Sequence, residues 1–196
     1  MDNILQITDT FIEENTLFPE LISELKQSFS NNEVLVPLRH HHDFPNPKVN
    51  SDSTLLLMPA WKPSDIAGVK IVTVSPENSR YHLPAIQGTY IYFDALKGTI
   101  KAIMEAKALT VKRTAAASAL ASSFLSRKDS NSLLMIGTGA LSINLIKAHA
   151  AVRPIETVYI WGRQFKKAQA IASQLKMKHS LCIPFQPLKR KFQRLI

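Results

Sequence analysis

Two glycines separated by one residue, Gly137 and Gly139, stand between an apolar run and a helix-like stretch. The run, residues 133–136, has the composition of a parallel strand buried on both faces. In such a context the first glycine permits a tight turn and the second lets a pyrophosphate approach the backbone, while N–H groups at the helix start bind its charge. Ser142 replaces the usual third glycine and is still small. The spacing predicts a dinucleotide-binding turn, and the alternative is an ordinary strand-to-helix turn.

The end of the next strand, residues 157–161, distinguishes NAD from NADP. NAD sites usually place Asp or Glu at this point to bind the ribose hydroxyls, whereas NADP sites tend to offer Arg. Here the strand is followed by Gly162 and Arg163, and Lys166 and Lys167 add positive charge. The pattern favours NADPH over NADH, although an Arg at a helix start can also be simply solvated.

Three cations stand out as candidates for binding a carboxylate-bearing substrate. Arg39 follows a strand-like stretch, and Lys70 lies within the apolar strand candidate 68–74, where an unpaired charge is expensive. Arg113 lies on an alanine-rich helix. Arginine binds carboxylates in bidentate fashion and lysine supplies a compact charge. The alternative for each is an exposed surface cation.

The histidine triplet and the single cysteine are weaker candidates for chemistry. His40, His41 and His42 are adjacent, and neighbouring residues of an extended segment point to opposite faces, so no metal site is expected. Cys182 has no Cys–His arrangement, so nucleophilic catalysis is not expected. One cysteine excludes an internal disulfide and suits a reducing compartment. With no signal-like N-terminus and no apolar run of roughly 20 residues, we expect a cytoplasmic protein without a membrane partner.

The formal net charge of +9 is concentrated at one end of the chain. Residues 157–196 hold nine Lys or Arg and no acid, whereas residues 1–156 hold 15 basic and 15 acidic side chains. A nucleic-acid groove normally draws cations from several elements of a folded domain, with aromatic or polar side chains between them. We therefore expect a solvated basic end rather than nucleic-acid binding, with an electrostatic tail as the alternative.

The elements that must position these residues form two groups. The first hundred residues predict a helix over 13–30, then a mostly antiparallel sheet that ends in a hairpin with Gly98 in its turn. A small-residue helix, 110–125, leads to a polar break near residue 128. Beyond it the order is strand, glycine turn, helix, strand and helix, which is that of a βαβ unit. The sequence thus predicts an α/β protein with an α+β part followed by part of a Rossmann domain.

Several segments, in order along the chain, resemble the ornithine cyclodeaminase/mu-crystallin family. They are VPLR at 36–39, MPA at 58–60, GVKIV at 68–72, PEN at 76–78, LTVKRTAAAS at 109–118, IGTGA at 136–140 and IWGR at 160–163. The resemblance covers roughly residues 15–176. It implies a usually dimeric protein, with a substrate-binding and dimerisation domain over 1–128 and the first half of a Rossmann dinucleotide-binding domain over 129–178.

The family pattern also implies roles for individual residues. Arg39 and Lys70 would contact the substrate carboxylate, with Lys70 as the substrate-positioning residue of the catalytic site, and Arg113 would lie between substrate and cofactor. The ribose-binding acid falls at Gly162, and a threonine that often touches the cofactor is replaced by Ala85. The cofactor-binding set is Arg113, Gly137, Thr138, Gly139, Ala140, Leu141 and Arg163.

The family resemblance implies NAD(P)H-dependent reduction of a cyclic imino acid such as pyrroline-2-carboxylate to L-proline, by a homodimer. One alternative is ornithine cyclodeamination to proline and ammonia, and another is a non-catalytic truncated remnant or binding module. Family members continue beyond this chain with further strands and a catalytic aspartate. Residues 179–196 form an atypical basic tail, and we expect a prematurely terminated or frameshifted product.

Overall fold

The computed structural model describes residues 4–175 and 181–185, which form two compact units. Unit 1 comprises the residues before 17 together with 27–110, and unit 2 comprises residues 17–26 and those from 111 onward. Two helices, α2 (Phe18–Ser30) and α3 (Ala106–Leu125), contribute residues to both units. Each unit contains one sheet, so the predicted mixed α/β architecture is confirmed. No helix in the described ranges is long and apolar enough to cross a membrane.

Unit 1 is built on a six-stranded sheet with the strand order β1-β6-β5-β4-β3-β2. Its strands are β1 (Leu5–Ile7), β2 (His40–Phe44), β3 (Ser53–Lys62), β4 (Ile66–Val74), β5 (Ile86–Asp94) and β6 (Ile100–Glu105). All neighbours are antiparallel except β1 and β6. A 3₁₀ helix, Pro76–Tyr81, follows β4. The central position of β4 determines where Lys70 lies.

The hairpin between β5 and β6 is held by one aspartate and one glycine. The Asp94 carboxylate accepts hydrogen bonds from the backbone N–H groups of Leu96 and Lys97, both at 3.0 Å. Gly98 has φ +68°, in the left-handed region that favours glycine. The predicted hairpin is confirmed.

Two of the predicted helices differ from those observed. The expected helix over 13–30 is two helices, α1 (Asp9–Asn15) and α2, because Pro19 lacks an N–H and fits only the first turn of a helix. The helix expected from residue 110 begins at Ala106. There the Asp9 carboxylate accepts a 2.7 Å hydrogen bond from the Ala108 N–H, which satisfies a donor of the first turn of α3.

Unit 2 contains a parallel sheet in the order β7-β8-β9, with strands β7 (Ser132–Ile136), β8 (Thr157–Trp161) and β9 (Leu181–Pro184). Helix α4 (Ser142–Ala150) connects β7 to β8, and α5 (Phe165–Gln174) follows β8. The expectation that residues 133–136 are buried on both faces is wrong, because β7 is an edge strand among the described residues and Ile136 is 56% exposed. The central strand β8 is the buried one, with Val158 and Ile160 fully enclosed.

The third strand, β9, was missed by the sequence analysis. It lies within the segment expected to be a basic tail, pairs with β8 and places Cys182 against the core around Val158. Burial raises the pKa of the Cys182 thiol. Residues 186–196 of the expected tail lie outside the described residues.

The core of unit 2 is organised by the alanines of α3. Ala115, Ala116 and Ala119 have no exposed surface and pack with Ile22 of α2 and Ala148 of α4. Because alanine side chains are short, the helix axes can approach closely. The small-residue helix predicted from the sequence thus packs against α2 and α4 within this unit.

Candidate functional site

Lys70 lies in the middle of the unit 1 sheet. It is half-buried, and its direct neighbours are Met58 on β3 and Tyr90 on β5. Directly opposite residues of antiparallel strands project from the same face of the sheet. One row across the sheet therefore contains Met58, Lys70 and Tyr90. We call the side of the sheet from which this row projects the Lys70 face.

Arg39 is exposed and immediately precedes β2. In β2 His40 pairs with Leu57, whereas Leu35 pairs with Trp61, so the register of this segment against β3 changes by one residue between Leu35 and His40. Arg39 therefore lies at the start of the edge strand, two strands away from β4, which carries Lys70. With neighbouring strands about 4.8 Å apart, two strand spacings are on the order of 10 Å.

Tyr90 is the feature of this face that the sequence analysis missed. A Cβ atom built on Gly68 would lie 1.9 Å from the Tyr90 hydroxyl oxygen and 2.4 Å from its Cζ, so the tyrosine ring covers the glycine. Burial raises the pKa of the Tyr90 phenol, with a further contribution from Tyr92. The hydroxyl therefore stays protonated at neutral pH and can donate a hydrogen bond. A glycine inside a strand is the sequence signal that could have indicated this close approach.

The histidine triplet alternates across strand β2. His41 lies 3.2 Å from the Asp43 carboxylate on one face, while the His40 and His42 rings meet edge to face at 6.3 Å on the other. Within residues 4–175 and 181–185, no three His, Cys, Asp or Glu side chains are grouped so that they could hold a metal ion.

The turn after β7 contains a glycine with positive φ and is open to solvent. Gly137 has φ +118°, which side chains rarely adopt, and its N–H donates to the Trp161 carbonyl at 2.8 Å. A Cβ atom at Gly137 or Gly139 would meet no heavy atom within 4 Å, so the space above both glycines is open. Ala140 and Leu141 are exposed beside it.

Ser142 connects this turn to helix α4. Its side chain is buried, and its hydroxyl donates to the Gly137 carbonyl at 3.1 Å. Leu141 at the N-cap supplies no side-chain hydrogen bond, and the first turn of α4 carries no acid. The helix start therefore keeps its positive electrostatic character. These features fit the pyrophosphate of a dinucleotide, which needs open space and backbone donors.

The end of β8 lies next to the same turn. Gly162 faces the Thr138 side chain, and Arg163, Lys166 and Lys167 are exposed. Thus Gly137, Thr138 and Gly139 on one strand end and Arg163 on the next are brought to one end of the unit 2 sheet. Arg113 is exposed on α3 in unit 2, whereas Arg39 and Lys70 belong to unit 1.

Comparison with known proteins places this geometry in a family. Residues 2–183 match the ornithine cyclodeaminase/mu-crystallin family model, which extends past residue 176, where the sequence analysis ended the resemblance. An uncharacterised protein of Schizosaccharomyces pombe is 46% identical over 156 residues, covering 79% of this chain and 47% of the relative. The Delta(1)-pyrroline-2-carboxylate reductase of Colwellia psychrerythraea is 37% identical over 161 residues, covering 82% of this chain and 50% of the enzyme.

A solved structure agrees with these relatives. The Thermococcus litoralis Delta(1)-pyrroline-2-carboxylate reductase in complex with NADH and L-proline superposes with a TM-score of 0.79 at 29% identity, covering 92% of this chain and 56% of that enzyme. The chain therefore spans about half the length of the relatives that it matches.

Proposed function

Because the chain belongs to the ornithine cyclodeaminase/mu-crystallin family, we propose that it takes part in the NAD(P)H-dependent reduction of a cyclic imino acid, with pyrroline-2-carboxylate as substrate and L-proline as product. The observation that carries this proposal is the position of Lys70, a cation in the centre of the unit 1 sheet between Met58 and Tyr90. Similarity to two reductases of this substrate supports the same chemistry.

In the proposed mechanism the two cations hold the substrate carboxylate. Arg39 offers a planar fork for bidentate binding, and Lys70 supplies a compact charge from the centre of the sheet. The protonated Tyr90 hydroxyl on the same face adds a neutral donor that can orient the ring of the substrate. We assign Arg113 to the boundary between substrate and cofactor, following the family pattern.

The cofactor half of the proposal rests on the turn after β7. Gly137, Gly139 and the start of α4 would hold the pyrophosphate, with Thr138, Ala140 and Leu141 lining it. A bound reduced nicotinamide would supply hydride for the carbon of the substrate C=N bond, and a proton from solvent would go to the nitrogen to give the amine of L-proline. NADPH is proposed over NADH because Arg163, a cation, follows β8 where an acid would bind the ribose hydroxyls.

A homodimer is part of the proposal. The face of the unit 1 sheet opposite Lys70 is apolar, and its side chains are only half-buried; they include Leu55, Leu57, Val69, Ile71, Ile91 and Phe93. A second copy would remove this surface from water. We expect Ile71→Lys to convert the dimer into a monomer in analytical ultracentrifugation. The single cysteine suits a reducing compartment, so a cytoplasmic location is also proposed.

Binding measurements on the purified chain test the substrate assignment. Arg39→Ala and Lys70→Ala should each weaken L-proline binding by about tenfold or more, as expected for a lost charge-assisted hydrogen bond. Lys62→Ala is the matched control, since Lys62 is a cation of the same sheet, lies near its edge and pairs with Glu33 at 2.8 Å. Unchanged proline binding by Lys70→Ala would contradict the proposal. Cofactor oxidation with pyrroline-2-carboxylate tests turnover, and ammonia release from ornithine would indicate a cyclodeaminase instead.

A further inference from the structure

The contact between Thr138 and Gly162 joins the phosphate turn to the end of strand β8. A Cβ atom built on Gly162 would lie 2.6 Å from Thr138 Cγ2, 3.0 Å from its Oγ1 and 3.4 Å from its Cβ. Real Cβ atoms essentially never approach another heavy atom closer than 3.0 Å. Any side chain at position 162 therefore requires Thr138 to move.

Rotation of the threonine relieves this clash only in part, because with its hydrogen in the 2.6 Å position a heavy atom still lies at about 3.0 Å, tighter than nine in ten real Cβ contacts. Thr138 carries two heavy atoms on its Cβ, and both face Gly162. A staggered rotation exchanges one of them for hydrogen but leaves at least one heavy atom in the two facing positions. The pairing of Ile136 with Trp161 and the Gly137 N–H bond to the Trp161 carbonyl hold the two backbones together at this point. Threonine at 138 and glycine at 162 are thus sterically matched.

Position 162 is where a dinucleotide-binding fold places the acid that binds the adenosine ribose hydroxyls of NAD. We propose that Thr138 is a positioning residue for cofactor specificity. Its side chain fills the space that a side chain at position 162 would need, so that Arg163, rather than an acid at position 162, faces the ribose. This inference rests on the proposed function, since it assumes that the turn binds NAD(P)H. It adds that the preference for the 2′-phosphate is set by a residue in the phosphate turn as well as by Arg163.

The test is a set of variants measured by calorimetric titration with NADPH and NADH. Gly162→Asp alone should weaken binding of both cofactors, because the aspartate displaces Thr138 and the turn. Thr138→Ala combined with Gly162→Asp should recover NADH binding and lower the NADPH-to-NADH affinity ratio by about tenfold or more relative to the native chain. Thr138→Val combined with Gly162→Asp is the matched control. Valine keeps both γ heavy atoms, so this variant should behave like Gly162→Asp alone.

Thermal unfolding tests the steric match without any cofactor. Gly162→Ala should lower the unfolding temperature, and the lowering should largely disappear when Thr138→Ala is added. An equal gain of NADH affinity in Gly162→Asp with and without Thr138→Ala would overturn this inference while leaving the proposed function intact. Additive effects on unfolding would also overturn it. Failure of the native chain to bind either cofactor would instead overturn the proposed function, and the specificity role with it.

Discussion

Replacing Arg153 should destabilise unit 2 more than replacing any exposed cation near it. Arg153 lies between α4 and β8, and its guanidinium donates to backbone carbonyls at the end of α3. The acceptors near the end of α3 are the carbonyls of Ser122, Ser123, Ser126 and Arg127, at 2.8 to 3.1 Å. The guanidinium also donates to the carbonyl of Val152, the residue that precedes Arg153, at 2.7 Å. A cation is favoured here because the last carbonyls of a helix have no partner within it and carry partial negative charge.

The expected magnitude follows from which carbonyls lose a partner. In Arg153→Ala the Ser122 carbonyl keeps its bonds from the Ser126 N–H and hydroxyl, and the Arg127 carbonyl keeps the Ser130 N–H. Three carbonyls, those of Ser123, Ser126 and Val152, are left without another donor in the described ranges. Hydrogen bonds to charged groups contribute roughly 1.5 kcal/mol or more each, so we expect a loss of about 4–5 kcal/mol.

Denaturant and thermal unfolding of the two variants check this value. At roughly 2–4 °C per kcal/mol for a chain of this size, Arg153→Ala should unfold on the order of 10 °C below the native chain. Arg127→Ala is the control. The Arg127 side chain is 83% exposed and its ion pair with Asp129 is long at 3.7 Å, so the free energy of unfolding should fall by no more than about 0.5 kcal/mol. If Arg153→Ala costs no more than Arg127→Ala, the assignment of these hydrogen bonds to stability is refuted.

Three further predictions concern the turn, the Lys70 face and pH. Gly137→Ala should cost about 1–3 kcal/mol of stability because of its positive φ, and should weaken NADPH binding, whereas Gly98→Ala should affect unfolding alone. Gly68→Ala should destabilise the chain because its Cβ meets the Tyr90 ring, and adding Tyr90→Ala should reduce that loss in a double-mutant unfolding cycle. Burial lowers the pKa of His149, so its stability contribution is present above the unfolded pKa of about 6.5 and is lost as pH falls toward the folded value. His149→Gln should flatten this part of the unfolding free energy measured against pH.

Elements whose own residues carry a sequence signal could be predicted. Elements that are stabilised by residues far away in the sequence could not. Strand β8 has the predicted bounds, Thr157–Trp161, and the turn at Gly98 is where its glycine indicated. The helix predicted from residue 110 begins at Ala106 in the structure. Its first turn is stabilised by the Asp9 carboxylate, which accepts from the Ala108 N–H and lies 99 positions away in the sequence. Strand β9 is four residues long and ends in a proline, so its pairing with β8 rather than its own composition makes it a strand.

The candidate site shows the same division. Arg39, Lys70 and Gly137 could each be singled out by residue type and local context. That Lys70 and Tyr90 lie side by side depends on the register of β4 with β5, which no local pattern specifies. The contact of Thr138 with Gly162 similarly depends on the pairing of β7 with β8.

The register of β5 against β4 decides which residues neighbour Lys70, and it depends on a glycine, Gly68. A one-residue slip of β5 against β4 would turn every β5 side chain to the other face of the sheet and bring Thr89 or Ile91 opposite Lys70. In the observed register the Tyr90 ring fills the space that Gly68 leaves, next to Lys70 in its row. A slipped register would place this ring on the apolar face, over side chains rather than over a glycine. Gly68 therefore favours the pairing of β4 with β5 in which Lys70 and Tyr90 lie side by side.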